Sequence, residues 1–210
     1  MDLVLQFWND RSIMCCMARP TEFNHQQAVD KALLLFWRKG YQATSMSDLV
    51  EAMGISRSSF YGAFQDKRTL FLQCLDLFGE RTCQVLQKAR TQMAAMDALQ
   101  YFFERHLSGP RPQQASLGCM LVNTVLEMAG VDDELSDRAS QHLIEMQKLF
   151  EDCLLDAGCQ PEQAHALAGV LMLLNEGVRV ASRRRMKPQD QRDPIAATFS
   201  MLRQQIGASA

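Results

Sequence analysis

Apolar residues recur at three- and four-residue intervals along most of the chain, the spacing that places them on one face of an α-helix. Glycine and proline begin or end most of these stretches, and we find neither a convincing strand pattern nor an internal repeat. The sequence therefore predicts an all-α fold of about nine helices. The predicted helices cover about 25–39, 46–53, 57–64, 67–91, 96–108, 118–129, 133–153, 161–185 and 194–206.

The helix predicted from Pro161 is apolar on two faces, one through Leu167 and Leu171 and the other through Val170 and Leu173. A helix with two apolar faces is buried on two sides. It is then either a central core helix or a helix with one face in its own core and one against a partner subunit. We favour the second interpretation and predict a homodimer through the helices near 163–185 and 194–206.

Two short predicted helices flank Gly54, an arrangement typical of a helix-turn-helix. Glycine accepts the positive φ of the tight turn. The second short helix then presents short or polar side chains, which let it approach a DNA groove closely. Free N–H groups at its start suit a phosphate. The residues that carry this prediction are Ser56, Arg57, Ser58, Ser59, Tyr61, Gly62, Ala63 and Lys67.

This segment, GYQATSMSDLVEAMGISRSSFYGAFQDKRTLF at residues 40–71, resembles the DNA-binding domain of the TetR family of regulators. The resemblance covers about residues 24–71. It implies a homodimeric regulator with three N-terminal helices for DNA and a larger helical domain for effector and dimer contacts. It also implies DNA contacts at Thr44, Ser45, Arg57, Ser58, Ser59, Tyr61, Gly62 and Lys67. Val50, Ser58 and Gly62 depart from the usual family pattern, so the operator sequence cannot be transferred.

A second fragment, LGCMLVNTVLE at residues 117–127, is similar to a Gly-Cys helix start in one branch of that family, some of whose members sense electrophiles or oxidants. Cysteine at a helix start lies near the positive end of the helix dipole, which favours thiolate. The alternative is that Cys119 is a small buried apolar residue. The predicted effector or redox residues are Cys119, Asn123, Glu127, Phe103, Met120, Met172 and Glu176.

Composition and charge narrow the functional classes. The chain has 210 residues and seven Cys residues, of which Cys15 and Cys16 are adjacent and the other five are scattered. This odd number does not indicate a disulfide framework and favours a reducing, cytoplasmic location. No apolar run approaches the roughly 18 residues of a membrane span. The net charge of −2 combines +2 over residues 17–70 with −3 over residues 71–210 and −1 over residues 1–16. A positive DNA-binding part is consistent with salt-dependent phosphate contacts.

A thiol enzyme and a helical interaction module are the two alternative functions. No metalloprotease, hydrolase or nucleotide-binding motif appears, and we predict neither metal nor cofactor, so a thiol enzyme using Cys119 is the weakest alternative. A helical interaction module without DNA binding shares every predicted fold feature. We predict a repressor whose fourth helix moves on effector binding or Cys119 modification and releases the operator. Residues 1–16 are interpreted as a disordered extension, 17–66 as the DNA-binding domain and 67–210 as the effector-binding and dimerisation domain.

Overall fold

The computed structural model describes residues 23–108, 116–184 and 187–208, and all regular structure in these ranges is α-helical. The predicted extension at residues 1–16 lies outside them. The all-α prediction is confirmed, and most predicted helix bounds agree within a few residues. The helices are α1 (His25–Lys39), α2 (Met46–Met53), α3 (Arg57–Phe64), α4 (Lys67–Arg90), α5 (Ala95–Ser108), α6 (Met120–Met128), α7 (Asp133–Asp156), α8 (Pro161–Arg183) and α9 (Pro188–Ala208).

The N-terminal helices enclose a small aromatic core. Asn24 begins α1, because its side chain accepts a hydrogen bond from the Gln27 N–H at 2.9 Å and satisfies one free donor of the first turn. Phe36 from α1 and Phe71 from α4 meet edge to face with ring centroids 4.8 Å apart. Phe60 of α3 is fully buried in the same core, so its burial holds α3 in place.

Helix α4 connects the two parts of the molecule. It packs against α1 on the N-terminal side and against α5 and α7 on the C-terminal side. Leu70 and Leu86, near its opposite ends, are both fully buried. The predicted domain boundary after residue 66 coincides with the start of this helix and stays a prediction.

The C-terminal helices pack around a second aromatic cluster of Phe102, Phe103, Phe150 and Phe199. The Phe103 ring lies 5.6 Å from that of Phe150 and 5.4 Å from that of Phe199, measured between centroids. Phe103 is 1% exposed. Phe103 belongs to this core, and its predicted contact with an effector stays a prediction.

Helix α9 begins earlier than predicted. The sequence placed a helix start at Pro194, because proline suits a first turn. In the structure α9 starts at Pro188 and Pro194 lies inside it, so the predicted start was wrong by six residues. The apolar residues after Pro194 do face the core, since Ile195 and Phe199 are fully buried.

Helix α8 shows the two predicted apolar faces. Ala168 and Leu171 are fully buried in the core of the chain, whereas Val170 and Leu173 on the other face are 52% and 70% exposed. Val180 continues this second face at 45% exposure. A row of exposed aliphatic side chains on an otherwise packed helix is a candidate protein contact.

Candidate nucleic-acid interface and effector region

The start of α2 is closed by a capping box, a reciprocal pair of side-chain hydrogen bonds. The Asp48 N–H donates to Ser45 Oγ at 3.1 Å, and the Ser45 N–H donates to Asp48 Oδ2 at 2.8 Å. Lys39 Nζ lies 2.9 Å from the other Asp48 oxygen. Hydrogen bonds from Ser45 and then from Lys39 lower the pKa of Asp48 to about 2. Ser45, predicted to contact DNA, is exposed at the first turn of α2.

The turn into α3 depends on Gly54, which adopts φ 72° and ψ 34° and donates to the carbonyls of Val50 and Glu51. A Cβ at this position would meet nothing closer than 3.8 Å, so glycine is favoured here by its backbone conformation and not by crowding. This turn sets the path of the chain into α3, as the sequence predicted.

The exposed start of α3 groups the predicted serines. Ser56 caps the helix, and its Oγ accepts from the Ser59 N–H at 3.1 Å. The Ser56 hydroxyl also lies 2.8 Å from that of Ser58 and 2.9 Å from that of Ser59. Three hydroxyls and the first N–H groups of α3 are therefore concentrated at one exposed helix end, where a phosphate or base edge can be bound.

Arg57 bridges the two short helices. Its Nη2 donates to Ser47 Oγ on α2 at 3.0 Å, and both side chains are exposed. Tyr61, one turn further along α3, is 52% exposed. Gly62 has open space where a Cβ would be, so its backbone can be approached closely. Ser47 was not among the predicted residues, although its place in the first turn of α2 could have suggested it.

The structure corrects the prediction that Thr44 contacts DNA. The resemblance implied that its side chain contacts DNA, but Thr44 is fully buried. Its Oγ1 donates to the Gly40 carbonyl at 2.6 Å, and its N–H donates to the Tyr41 carbonyl at 3.3 Å. Thr44 thus stabilises the loop before α2, and its polar groups do not face solvent.

Lys67, the first residue of α4, lies against the loop between α1 and α2. Its Nζ is 4.3 Å from the centroid of the Tyr41 ring, a cation–π contact. Burial lowers the pKa of Lys67, and the carboxylate of Glu127 opposes that shift. The predicted DNA-contacting lysine is therefore also placed next to the C-terminal domain.

Glu127, at the end of α6, joins the two domains through its carboxylate. Oε2 accepts from the Tyr41 N–H at 3.0 Å, and Oε1 accepts from the Gln42 N–H at 2.8 Å. Gly40, at φ 84°, permits this approach, since a Cβ there would lie 2.8 Å from Oε2. We call this set the Glu127 junction. Adjacent backbone N–H groups converging on one carboxylate form a small anion-binding concavity.

Arg68, at the beginning of α4, makes a second contact, with the start of α7. Its guanidinium donates to both carboxylate oxygens of Asp132, at 3.1 and 3.0 Å, and to Glu134 at 2.6 Å. Asp132 is also the N-cap of α7. The hydrogen bonds from Arg68 hold the pKa of Asp132 below its usual value, against the effect of burial. The pairing of Arg68 with Asp132 was not predicted, because it depends on packing across 64 positions.

Three of the predicted effector residues, Met120, Asn123 and Glu127, line one cleft of about 390 Å³ between α1, α6 and α8. The Asn123 side chain donates to the Leu117 carbonyl at 3.0 Å and so braces the chain before α6. Met172 is buried elsewhere, in contact with Asn175, and Glu176 is half-buried on α8 outside this cleft.

Cys119 precedes α6 as its N-cap residue and makes no side-chain capping bond. It is 1% exposed. The guanidinium of Arg179 is buried nearby, and burial lowers the pKa of Arg179 to about 10, while Cys119 opposes that shift. Arg179 Nε donates to Asn175 Oδ1 at 3.3 Å. The predicted sensor thiol is thus enclosed beside a buried cation.

Comparison with known protein families decides the classification. The protein-family model described as bacterial regulatory proteins, tetR family, matches residues 28–74. The model of the C-terminal domain of LmrA/YxaF-like transcriptional regulators matches residues 95–191. The chain belongs to the TetR family. The first match contains α2, the Gly54 turn and α3, the elements that the sequence singled out.

Similar proteins with curated names are regulators of the same type. The chain is 26% identical over 147 residues to the HTH-type transcriptional regulator YezE of Bacillus subtilis, across 70% of this chain and 76% of YezE. It is 29% identical over 134 residues to the HTH-type transcriptional repressor ComR of Escherichia coli, across 62% of this chain and 64% of ComR. This TetR-family chain is a DNA-binding transcriptional regulator.

Solved structures share the fold. A cysteine mutant of the TetR-family regulator CifR, complexed with a 26-base-pair operator, superposes with a TM-score of 0.74 at 22% identity, over 87% of this chain and 98% of that one. SCO4454, a TetR-family regulator from Streptomyces coelicolor, gives 0.76 at 17% identity, over 86% and 94%.

Members of the TetR family are transcriptional regulators and not enzymes. They bind double-stranded operator DNA as homodimers and respond to small-molecule effectors. Among the helices that the structure describes, none is long and apolar enough to cross a membrane.

Proposed function

We propose that this TetR-family chain is a repressor that acts in the cytoplasm, by binding and not by catalysis, and that the exposed face of α2 and α3 contacts its operator. The observation that carries the proposal is the start of α3. There, Ser56, Ser58 and Ser59 cluster at a capped helix end, and Arg57 reaches across to α2. Such a helix end combines phosphate-binding N–H groups with side chains that reach base edges.

We propose a second copy of the chain as the partner of α8 and α9. Val170 and Leu173 expose one aliphatic face of α8, and Met201 of α9 is 62% exposed. Pairing these helices across a two-fold axis would bury both faces in a four-helix seam. The two copies of α3 would then enter successive major grooves, about 34–36 Å apart.

We propose that a small molecule releases the operator by changing how the C-terminal domain holds α4. Lys67 and Arg68 begin α4. Lys67 lies near the carboxylate of Glu127, and Arg68 forms an ion pair with Asp132. The burial of Cys119 favours this route over direct oxidation of its thiol in this conformation. Loss of the contacts at the start of α4 would let the α2–α3 face move relative to the C-terminal helices.

Operator binding by single variants tests the proposal. Arg57→Ala should weaken binding to DNA from the intergenic region upstream of the gene by about tenfold or more and relax its sequence preference. Lys67→Ala should weaken binding to all sequences and reduce the salt slope by about 1. Fluorescence anisotropy at several salt concentrations measures both effects.

Arg105→Ala is the matched control, because Arg105 is an exposed arginine on α5 that contacts Tyr101 of the same helix. It should bind the operator as the wild type does. Equal affinity of all three variants would refute the assignment of the α2–α3 face.

A further inference from the structure

The cleft between α1, α6 and α8 has the size and lining of a small-molecule site. Its volume of about 390 Å³ lies within the range of ligand pockets, about 300–1,000 Å³. Trp37, Phe71, Met120 and Val180 supply apolar walls. The walls come from both domains, since Trp37 belongs to α1 and Val180 to α8. An occupant would therefore touch the DNA-binding part and the C-terminal part together.

Two guanidinium groups give the cleft its charge. Arg38 of α1 and Arg183 of α8 both line it and are exposed. Neither has an ion-pair partner in the parts of the chain that the structure describes. The other charged groups of the cleft are engaged: Lys39 pairs with Asp48, and Glu127 accepts two backbone N–H groups. Glu127 keeps its negative charge, but the two guanidinium groups outnumber this one carboxylate, so the lining stays net positive.

We propose that this cleft binds a small organic anion with an apolar, preferably aromatic, body. Arg38 and Arg183 would hold its carboxylate or sulfonate, because guanidinium groups form paired, charge-assisted hydrogen bonds with such anions. The aromatic and aliphatic walls would cover the rest of the molecule. The assignment of this ligand as the releasing effector rests on the proposed function, whereas its binding does not.

The position of the cleft gives the ligand a route to the DNA-binding part. Its wall includes Gly40 and Glu127, so an occupant lies beside the Glu127 junction. An anion bridging Arg38 and Arg183 draws α1 and α8 towards one charge. It also places a negative charge next to the carboxylate of Glu127. The two charges repel each other, which disfavours the position of that carboxylate in the Glu127 junction.

A pair of fluorescent probes tests the site without DNA. The probes are 8-anilinonaphthalene-1-sulfonate and N-phenyl-1-naphthylamine, which share an aromatic skeleton and differ by the sulfonate. We expect the sulfonate probe to bind the full-length wild-type protein saturably at one site per protomer. Arg38→Gln and Arg183→Gln should each weaken it by about tenfold. Neither should change the affinity of the neutral probe by more than about twofold.

Two further variants control for charge and folding. Arg183→Lys should keep more of the affinity for the sulfonate probe than Arg183→Gln does but less than the wild type, because the positive charge remains while the paired hydrogen bonds are lost. Arg105→Gln should bind both probes as the wild type does, and circular dichroism should show unchanged helicity for every variant. The proposal is overturned if the arginine variants bind the sulfonate probe normally, or if they lose both probes equally.

Operator binding measured on the same proteins separates this result from the proposed function. If probe binding depends on Arg38 and Arg183 but the bound probe does not change operator affinity, the cleft is an anion site and not the effector site. Operator binding that depends on Arg57, together with probe binding that ignores both cleft arginines, would keep the regulator and remove the anion site.

Discussion

Hydrogen bonds at the α2–α3 surface join residues two to ten positions apart, whereas those at the Glu127 junction join residues 85 and 86 positions apart. Ser45 pairs with Asp48, and Ser56 caps α3 through the Ser59 N–H. Glu127 in contrast holds Tyr41 and Gln42 from the other domain. Local contacts persist whenever their helix is formed, but contacts across domains exist only in one relative arrangement of the domains.

The difference teaches how a surface can stay ready for DNA while its position changes. The capped helices keep their shape if the two domains shift, because nothing in their caps belongs to the C-terminal domain. The contacts made by Glu127 and Arg68 are the ones that such a shift must break. Variants in the two regions should therefore have separable effects.

The largest effect is expected from removing the core beneath the α2–α3 surface. Phe60 is fully buried, so Phe60→Ala should lower the free energy of unfolding by about 3–5 kcal/mol. Urea unfolding measures the loss, and hydrogen exchange should show faster opening of α2 and α3 than of α7. Tyr61→Ala, at the exposed neighbouring position, should cost below about 1 kcal/mol. Similar losses for the two variants would contradict the packing described.

An intermediate effect is expected at Gly40, where the two regions meet. Gly40→Ala should destabilise the protein by about 1–3 kcal/mol through backbone strain at φ 84°, and by more where the new Cβ meets the Glu127 carboxylate. In the Glu127→Ala background the second contribution disappears. A double-mutant cycle by urea unfolding should therefore show coupling of about 0.5–3 kcal/mol.

Gly130→Ala is the matched control for that cycle. Gly130 has φ 72°, but a Cβ there would meet nothing within 4 Å. Its effect should add to that of Glu127→Ala within about 0.5 kcal/mol. Additivity at Gly40 as well would mean that the carboxylate does not occupy the space beside it.

The smallest effect is expected at the α2 cap and depends on pH. The pKa of Asp48 is lowered in the folded state from 3.8 to about 2. A lowered pKa stabilises the fold above the unfolded value, and this contribution disappears as the pH falls from about 4 towards 2. The difference in stability between the wild type and Asp48→Asn should therefore be constant above pH 5 and shrink below pH 4 in chemical unfolding.

Lys39→Ala sharpens this test. The bonds from Ser45 are the main cause of the lowered pKa, and the contact with Lys39 comes second. The pH dependence should therefore mostly survive in Lys39→Ala. Its complete loss in that variant would assign the shift to the ion pair.

The same contrast explains what could be predicted from the sequence. The Gly54 turn and most helix bounds follow from neighbouring residues. The DNA contact at Thr44 came from the family resemblance, which transfers a position in the chain but does not show whether that residue is buried. The start of α9 was wrongly placed at Pro194, because the sequence does not distinguish a proline at the first helical position from one in a later turn.

The junction could not be predicted from local pattern. Glu127 was singled out for its spacing from Cys119, yet its partners are backbone N–H groups in another domain. Nothing in the residues around Arg68 points to Asp132, since the pairing arises from the packing of α4 against α7. Phe103 likewise has the same apolar character whether it lines a pocket or fills a core.

The length of α4 gives small movements a large reach. Its 24 residues make a rod of about 36 Å at about 1.5 Å per residue. Pivoting such a rod by roughly 5° about its far end displaces its beginning by about 3 Å, close to the 3.4 Å rise between neighbouring bases. In a symmetric pair the two displacements combine, so a small tilt of α4 would move the two copies of α3 out of register with successive major grooves.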